Sequence, residues 1–193
     1  MLISGNGLLD LIKDGVITAR PENVNASTID LTMGSLIEVE SPDAGSDPID
    51  LMLKGSISTV QVALPYNLLP GQFCLAHTEE YFKLPDHISC DVLLKSSHAR
   101  SGLNHALAGW GDAGWHGQLT LEFSNWSQYH LLRLSPGMKC AQVRFFEHAK
   151  VPEHLSYSTM GSYNGSVGVT KPSINVRVSG IPYEVSLDSI SSM

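Results

Sequence analysis

"GQLTLEFSNW", residues 117–126, alternates along its length: Leu119, Leu121 and Phe123 fall on one side of an extended chain, Thr120, Glu122 and Ser124 on the other. That period of two predicts a strand with one face on an apolar core. Taken alone, Glu122 reads as a solvent-facing carboxylate, the usual state of glutamate. The same pattern of short strands recurs on both sides. It is seen in "ASTIDLTMGSLIEVE" (26–40), "STVQVALP" (58–65), "QFCLAHTEEYFKLP" (72–85), "HISCDVLLK" (87–95) and "HLLRLSPGMKCAQVRFFE" (130–147). Turns such as Leu69-Pro70-Gly71 and Ser135-Pro136-Gly137 cut the strands. Only Leu8, Leu9, Leu11 and Ile12 are spaced as one face of a helix, a short one that Gly15 can stop. The pattern predicts a mainly β protein, a barrel or jelly roll with a short N-terminal helix.

With 193 residues, 42% of them hydrophobic, the chain suits one sizeable core. The division expected is residues 1–160 as the β domain and 161–193 as a C-terminal lid or tail. "STMGSYNGSVGVTKPSINVRVSG" (158–180), rich in Gly and Ser, is read equally well as a disordered tail or as a lid over a ligand. A formal net charge of −7, from 12 Lys+Arg against 19 Asp+Glu, argues against broad binding to nucleic acid or anionic membrane. A small anionic ligand, which needs only two or three local cations, remains open. Cys74, Cys90 and Cys140, odd in number and far apart, suit a reducing cytoplasm better than a disulfide scaffold. No apolar run approaches the ~20 residues of a membrane span, and Asp10 and Asp14 interrupt the stretch where a signal peptide would be hydrophobic. A cytoplasmic location is expected.

Several catalytic signatures are absent. His77-Thr78-Glu79 matches half of the zinc deaminase signature, but the Pro-Cys-x-x-Cys half is missing. There is no phosphate-binding Gly-x-x-x-x-Gly-Lys-Ser/Thr, no Gly-x-Ser-x-Gly and no Gly-x-Gly-x-x-Gly. "LLKSSHARSGL" (93–103) is more informative. A strand end runs into Lys95, Ser96, Ser97 and Arg100, so serines able to cap a helical turn stand beside two cations, and Gly102 can end the turn. That is either a small anion site or an ordinary surface turn. "AGWGDAGWHGQLTLEFSN" (108–125) follows and reads as a Gly-rich hairpin, with Asp112 in the turn and Glu122 on the return strand.

"KSSHARSGL", "AGWGDAGWHGQLTLEFSN" and "LSPGMKCAQVRF" together resemble, in order and spacing, the motifs of the dCTP deaminases of the dUTPase superfamily. "NASTIDLTMG" near the start is similar to that family's Ala-Ser-(Ile/Val)-Asp-Leu strand, so the resemblance spans roughly residues 1–175. Glu122 within Leu-Glu-Phe singles out the deaminase branch. The resemblance implies a homotrimer of distorted jelly-roll barrels of the dUTPase-like type, with sites shared between subunits and a flexible C-terminal lid. It also implies hydrolysis of the cytosine 4-amino group of a deoxycytidine nucleotide without zinc. Mg²⁺ would accompany the phosphates.

By the same resemblance Glu122 is the catalytic carboxylate, Ser96 helps hold the attacking water, and Arg100 orients the carboxylate. Lys95 and Ser97 match phosphate-contact positions, and Gln142 ends the Pro-Gly-Met motif. Ala108 and Gly109 carry the main chain that reads the pyrimidine edge. Asp112 matches the acceptor of the sugar 3'-hydroxyl and Trp115 the ring beside deoxyribose. Tyr163 and Lys171 lie in the lid. No residue is expected to ligate a metal directly.

The sequence departs from the family pattern at Gly111-Asp112-Ala113-Gly114, where Ile-Asp-Pro-Gly is usual. It departs again at Ser162 and near Ser166, where a lysine and a glutamine are usual. These changes remove phosphate contacts and leave dCMP and dCDP open as substrates beside dCTP. Ala108-Gly109-Trp110 resembles the bifunctional branch, which also cleaves the triphosphate to dUMP. A dUTPase-like pyrophosphatase, which leaves Glu122 idle, and a non-catalytic nucleotide-binding regulatory module are the competing readings.

Overall fold

A computed structural model describes residues 1–41, 48–52, 55, 57–106 and 108–172. Helix α1 (Asn6–Lys13) buries Leu8 and Leu11, while Ile12 packs at the margin of the core. Leu9, expected on the same face, is 40% exposed, because the buried stripe of so short a helix takes in only positions three apart. Gly15, at φ 74, ends it.

Among the described residues every pairing between strands is antiparallel. Strands β1 (Ile29–Thr32), β2 (Leu36–Glu40), β3 (Thr59–Ala63), β4 (Tyr66–Leu68), β5 (Phe73–Lys83) and β6 (Ile88–Leu94) come first. Helix α2 (Ser96–Arg100) then leads to β7 (Leu103–His105), β8 (Trp110–Gly111), β9 (His116–Asn125), β10 (Leu132–Leu134) and β11 (Lys139–Glu147), and a short α3 (Tyr157–Met160) follows. They form a four-stranded sheet, β1-β11-β6-β8, a five-stranded sheet, β3-β2-β5-β9-β7, and the small pair β10-β4. The two larger sheets close on a common core that includes Ile29, Leu31, Phe82, Leu121, Phe123 and Phe145. This is the expected mainly β, distorted jelly-roll arrangement. Leu121 and Phe123 point into the core as the period of two required, and Leu119 is half-buried.

Cys74, Cys90 and Cys140 are free and buried, and burial pushes each thiol up to about 12, out of reach of nucleophilic chemistry near neutrality. Among the described residues no helix is long and apolar enough to cross a membrane.

The longest ladder, β5 against β9, is interrupted. His77 pairs with Thr120 and Tyr81 with Gln118, so four steps along β5 span two along β9. The extra residues bulge, and Glu80 turns inward to 3% exposure. There its carboxylate accepts the Thr32 amide (2.9 Å) and the Thr32 hydroxyl (2.7 Å), tying β5 to β1 across the gap between the sheets. Burial pushes this carboxyl above its ordinary 4.5; the Thr32 bonds oppose the shift, and nearby Glu79 adds to it. A raised folded-state pKa means the fold favours the protonated form. The contribution of Glu80 to stability is therefore full below 4.5 and declines as pH rises through the folded value. Urea unfolding of the parent and of Glu80→Gln between about pH 4 and about pH 8 is expected to show the parent's relative stability falling as pH rises. A pH-independent difference would remove Glu80 as the source.

Candidate active site

Because Leu121 and Phe123 occupy the core, Thr120, Glu122 and Ser124 must face the other side of the five-stranded sheet. That side is not open solvent but a cavity of about 590 Å³. Glu122 lines it with its side chain 24% exposed. Its Oε2 is sealed and has no hydrogen-bond partner among the described residues. The nearest group is His105 Nε2 at 3.4 Å, on a side chain 3% exposed, and that nitrogen is unpartnered too. Two buried polar atoms face each other without a well-aligned bond, an arrangement that costs stability, and since this oxygen is sealed, the exposed part of the Glu122 side chain is what the cavity meets.

His105 was not among the expected site residues. In the sequence it is one histidine in "GLNHAL", and only the pairing of β7 with β9, His105 opposite Phe123, brings it beside Glu122. No local motif signals it.

Of the expected residues, Ala108, Asp112, Trp115, Tyr163 and Lys171 line the same cavity. Trp115 is 6% exposed, packs against Phe82 with the rings tilted by 41° and their centroids 5.4 Å apart, and donates from Nε1 to the Tyr163 carbonyl at 3.2 Å. Asp112 is exposed and accepts from Trp110 Nε1 at 2.8 Å. Gly109 lies close behind, its carbonyl accepting from the Val92 amide at 2.8 Å. A Cβ at Gly109 would meet the Val92 carbonyl oxygen at 2.4 Å, so only glycine fits.

The segment 108–125 is not the hairpin expected. β8 pairs with β6 in the four-stranded sheet, Cys90 opposite Gly111, whereas β9 pairs with β5 and β7 in the other sheet. The Asp112-Ala113-Gly114 turn is a crossover between sheets: one edge of β9 is taken by β5, and the other by β7 towards its end and by Ser166 near its start, whereas β8 pairs with β6.

The described part of the C-terminal segment runs as a strap along β9. The Gln118 amide donates to the Ser166 carbonyl (2.8 Å), the Gly168 amide to Gln118 Oε1 (2.7 Å) and the Thr170 amide to Thr120 Oγ1 (3.0 Å). Lys171 then pairs with Glu38 at 2.9 Å. Burial pushes the Glu38 carboxyl up, but bonds from Thr59 and Lys171 outweigh it and hold the group below 4.5. These residues close over the cavity of their own chain. Residues 173–193 of the expected lid lie outside the described residues.

The remaining expected residues gather elsewhere. Lys95 pairs with Asp30 at 2.7 Å, and the same carboxylate takes Lys139 at 3.2 Å and a bond from Gln142 Nε2 at 3.0 Å. Burial pushes Asp30 up, but the bonds from Lys95, Gln142 and Lys139 prevail and hold it below its ordinary 3.8. Ser96, Ser97 and Arg100 are exposed on α2 and do not line the cavity. Neither serine caps the helix; Lys95 occupies the N-cap position, with no side-chain cap bond.

The profile of the family described as dCTP deaminase-like matches residues 2–148. The chain belongs to that family. A "dCTP deaminase, dUMP-forming" from Aquifex aeolicus is 34% identical over 181 residues, covering 91% of this chain and 96% of the relative. A protein of the same name from a Hydrogenobaculum species is 35% identical over 155 residues, covering 79% and 85%. The crystal structure of 2'-deoxycytidine 5'-triphosphate deaminase from Agrobacterium tumefaciens shares the fold, with a TM-score of 0.59 at 21% identity, over 75% of this chain and 47% of that one.

Against the dCTP deaminase family pattern, the change to Ala113 in the crossover turn is absorbed locally. Ala113 is buried, its carbonyl takes the Tyr157 amide at 3.0 Å, and the retained Gly114 holds φ 85. Gly117 is the tightest point under the strap. At φ 150, a Cβ there would meet the Ser166 carbonyl oxygen at 2.9 Å. Gly117→Ala is therefore expected to lift the strap, so that limited chymotrypsin digestion cuts after Tyr163 several-fold faster than in the parent. An unchanged cleavage rate would mean the strap does not depend on this approach.

Proposed function

We propose that this protein hydrolytically deaminates dCTP and carries the product on to dUMP. The observation that carries the reading is Glu122: a partly exposed carboxylate on the wall of a cavity that also holds Asp112 and Trp115, with one oxygen sealed beside His105 and the rest of the group turned to the cavity. A carboxylate so placed takes a proton from water as the water oxygen adds to C4 of the base. It then delivers the proton to the ring nitrogen and the departing ammonia. His105 fixes the carboxylate's orientation. Asp112 accepts the sugar 3'-hydroxyl, and Trp115 presents its edge to the deoxyribose. A pyrophosphatase-only reading gives Glu122 no task. The names of the curated relatives support both the deamination and dUMP as the final product.

The phosphates need cations, and within one chain the cavity offers Lys171, already paired with Glu38. Ser96, Ser97 and Arg100, with Lys95 and Gln142 behind them, stand on another surface of the same chain. A homotrimer in which α2 of one subunit meets the cavity of the next brings the two halves together. In it, Ser96 holds the water, Arg100 orients Glu122, and Ser97, Lys95 and Gln142 face the phosphates. Among the described residues no group of three or more His, Cys, Asp or Glu side chains is set to hold a metal ion. Mg²⁺ enters with the phosphates, whose charge it offsets. Residues 161–193 serve as the lid on the 1–160 domain, and the enzyme works in the cytoplasm.

Glu122→Gln keeps the shape of the site and removes the proton carrier. Deamination of dCTP is expected to fall by roughly 10²- to 10⁴-fold while dCTP affinity by calorimetry stays close to the parent's. Deamination within about threefold of the parent would discard the role of Glu122. Sharing of sites is tested by co-expressing Glu122→Gln with Arg100→Ala chains. Mixed trimers should regain activity that neither variant has alone, and light scattering should give three times the chain mass. No regain, or a monomer mass, would refute the shared site.

A further inference from the structure

The sheet flanks Glu122 asymmetrically. On the β7 side stand His105 and the backbone leading to Ala108 and Gly109, with the Ala106 amide bonded to the Glu122 carbonyl at 3.1 Å. On the β5 side, Leu75 lies directly opposite Glu122 and Phe73 opposite Ser124. Directly opposed residues on neighbouring antiparallel strands hold their Cβ atoms about 5 Å apart and share a face. Beyond Leu75 and Phe73 the cavity is lined by Ile49, Leu51 and Ile57, from the residues that precede β3. Leu51 is 80% and Ile49 43% exposed, so this wall presents uncovered hydrocarbon beside the site.

A cytosine ring has matching asymmetry about C4. One edge, N3 and O2, is polar, and the other, C5 and C6, carries only C–H. With C4 at Glu122, the polar edge belongs on the side where the chain at Ala108 borders the cavity, and C5 belongs against Leu75. A bare C5–H leaves the outer part of that wall wet. We infer, on the footing of the deaminase reading above, that the cavity takes deoxycytidine nucleotides bearing an apolar C5 substituent, of which 5-methylcytosine is the smallest. Leu75 and Ile57 are the specificity-determining side chains. The reaction is the same: a water oxygen bonds to C4, the C4–N4 bond breaks, ammonia leaves, and the C5 group is untouched. The product is a thymidine nucleotide in place of a deoxyuridine one.

One buried methyl contributes about 0.8 kcal/mol, which is about fourfold in kcat/KM. Ammonia release from 5-methyl-dCTP and dCTP, measured in parallel with Mg²⁺ on the full chain, should favour the methylated nucleotide by about that factor. Leu75→Asn should bring the ratio of the two to one or below. Ile57→Ser, at the rim, should lower the ratio in the same direction and covers the case in which Leu75→Asn does not fold. Ammonia from dCTP with a ratio at or below one in the parent overturns this inference alone. A ratio unmoved by both variants overturns the assignment to this wall. Ammonia from neither nucleotide overturns the deaminase reading and this inference with it.

Discussion

The pairing of β5 with β9 sets everything that follows from it. Extended chain leaves no choice of face. Once Leu121 and Phe123 enter the core, Glu122 is committed to the opposite side, beside Leu75 of the next strand. A slip of one residue would bury the carboxylate and expose the phenylalanine, so the apolar core itself guarantees where the reactive group stands. The bulge that brings in Glu80 lets the same ladder bend around the core without disturbing the register near Glu122.

The motif residues divide between the two sheets for a related reason. Each larger sheet is one wall of the core, and the motif residues 95–100 leave the end of β6 in one sheet, whereas Glu122 rides on β9 in the other. Asp30 then gathers Lys95, Lys139 and Gln142 from α2's start and from β11 around a single carboxylate. The two lysines are held in fixed positions by a carboxylate that is itself buried, so the ordering cost of these long side chains is met in the folded chain.

The alternation that places Glu122 was legible in the sequence because it depends only on neighbours two apart. So were the mainly β class, the short first helix and the grouping of Asp112, Trp115 and Glu122. His105 was not legible, since its position beside Glu122 depends on which strand lies next to β9 and in what register. Nor was the capture of Lys95 by Asp30, 65 residues away in the chain. The crossover at Asp112 was misread as a hairpin because a Gly-rich turn between two short strands has the same local signature whether the strands pair with each other or with different sheets.

Between its side-chain anchors, Asn164 accepting from the His116 amide and Lys171 paired with Glu38, the strap is held through its own main chain: the Ser166 carbonyl and the Gly168 and Thr170 amides bond to β9, and the side chains at those three positions make none of these bonds. Main-chain groups are present whatever residue occupies a position, proline's missing amide apart. From Ser166 to Thr170 the identity of the side chain is therefore decoupled from docking, whereas Asn164 and Lys171 are not interchangeable in this way. Ser166, which lines the cavity, is thus free to change the surface presented there while the strap still finds the same seat.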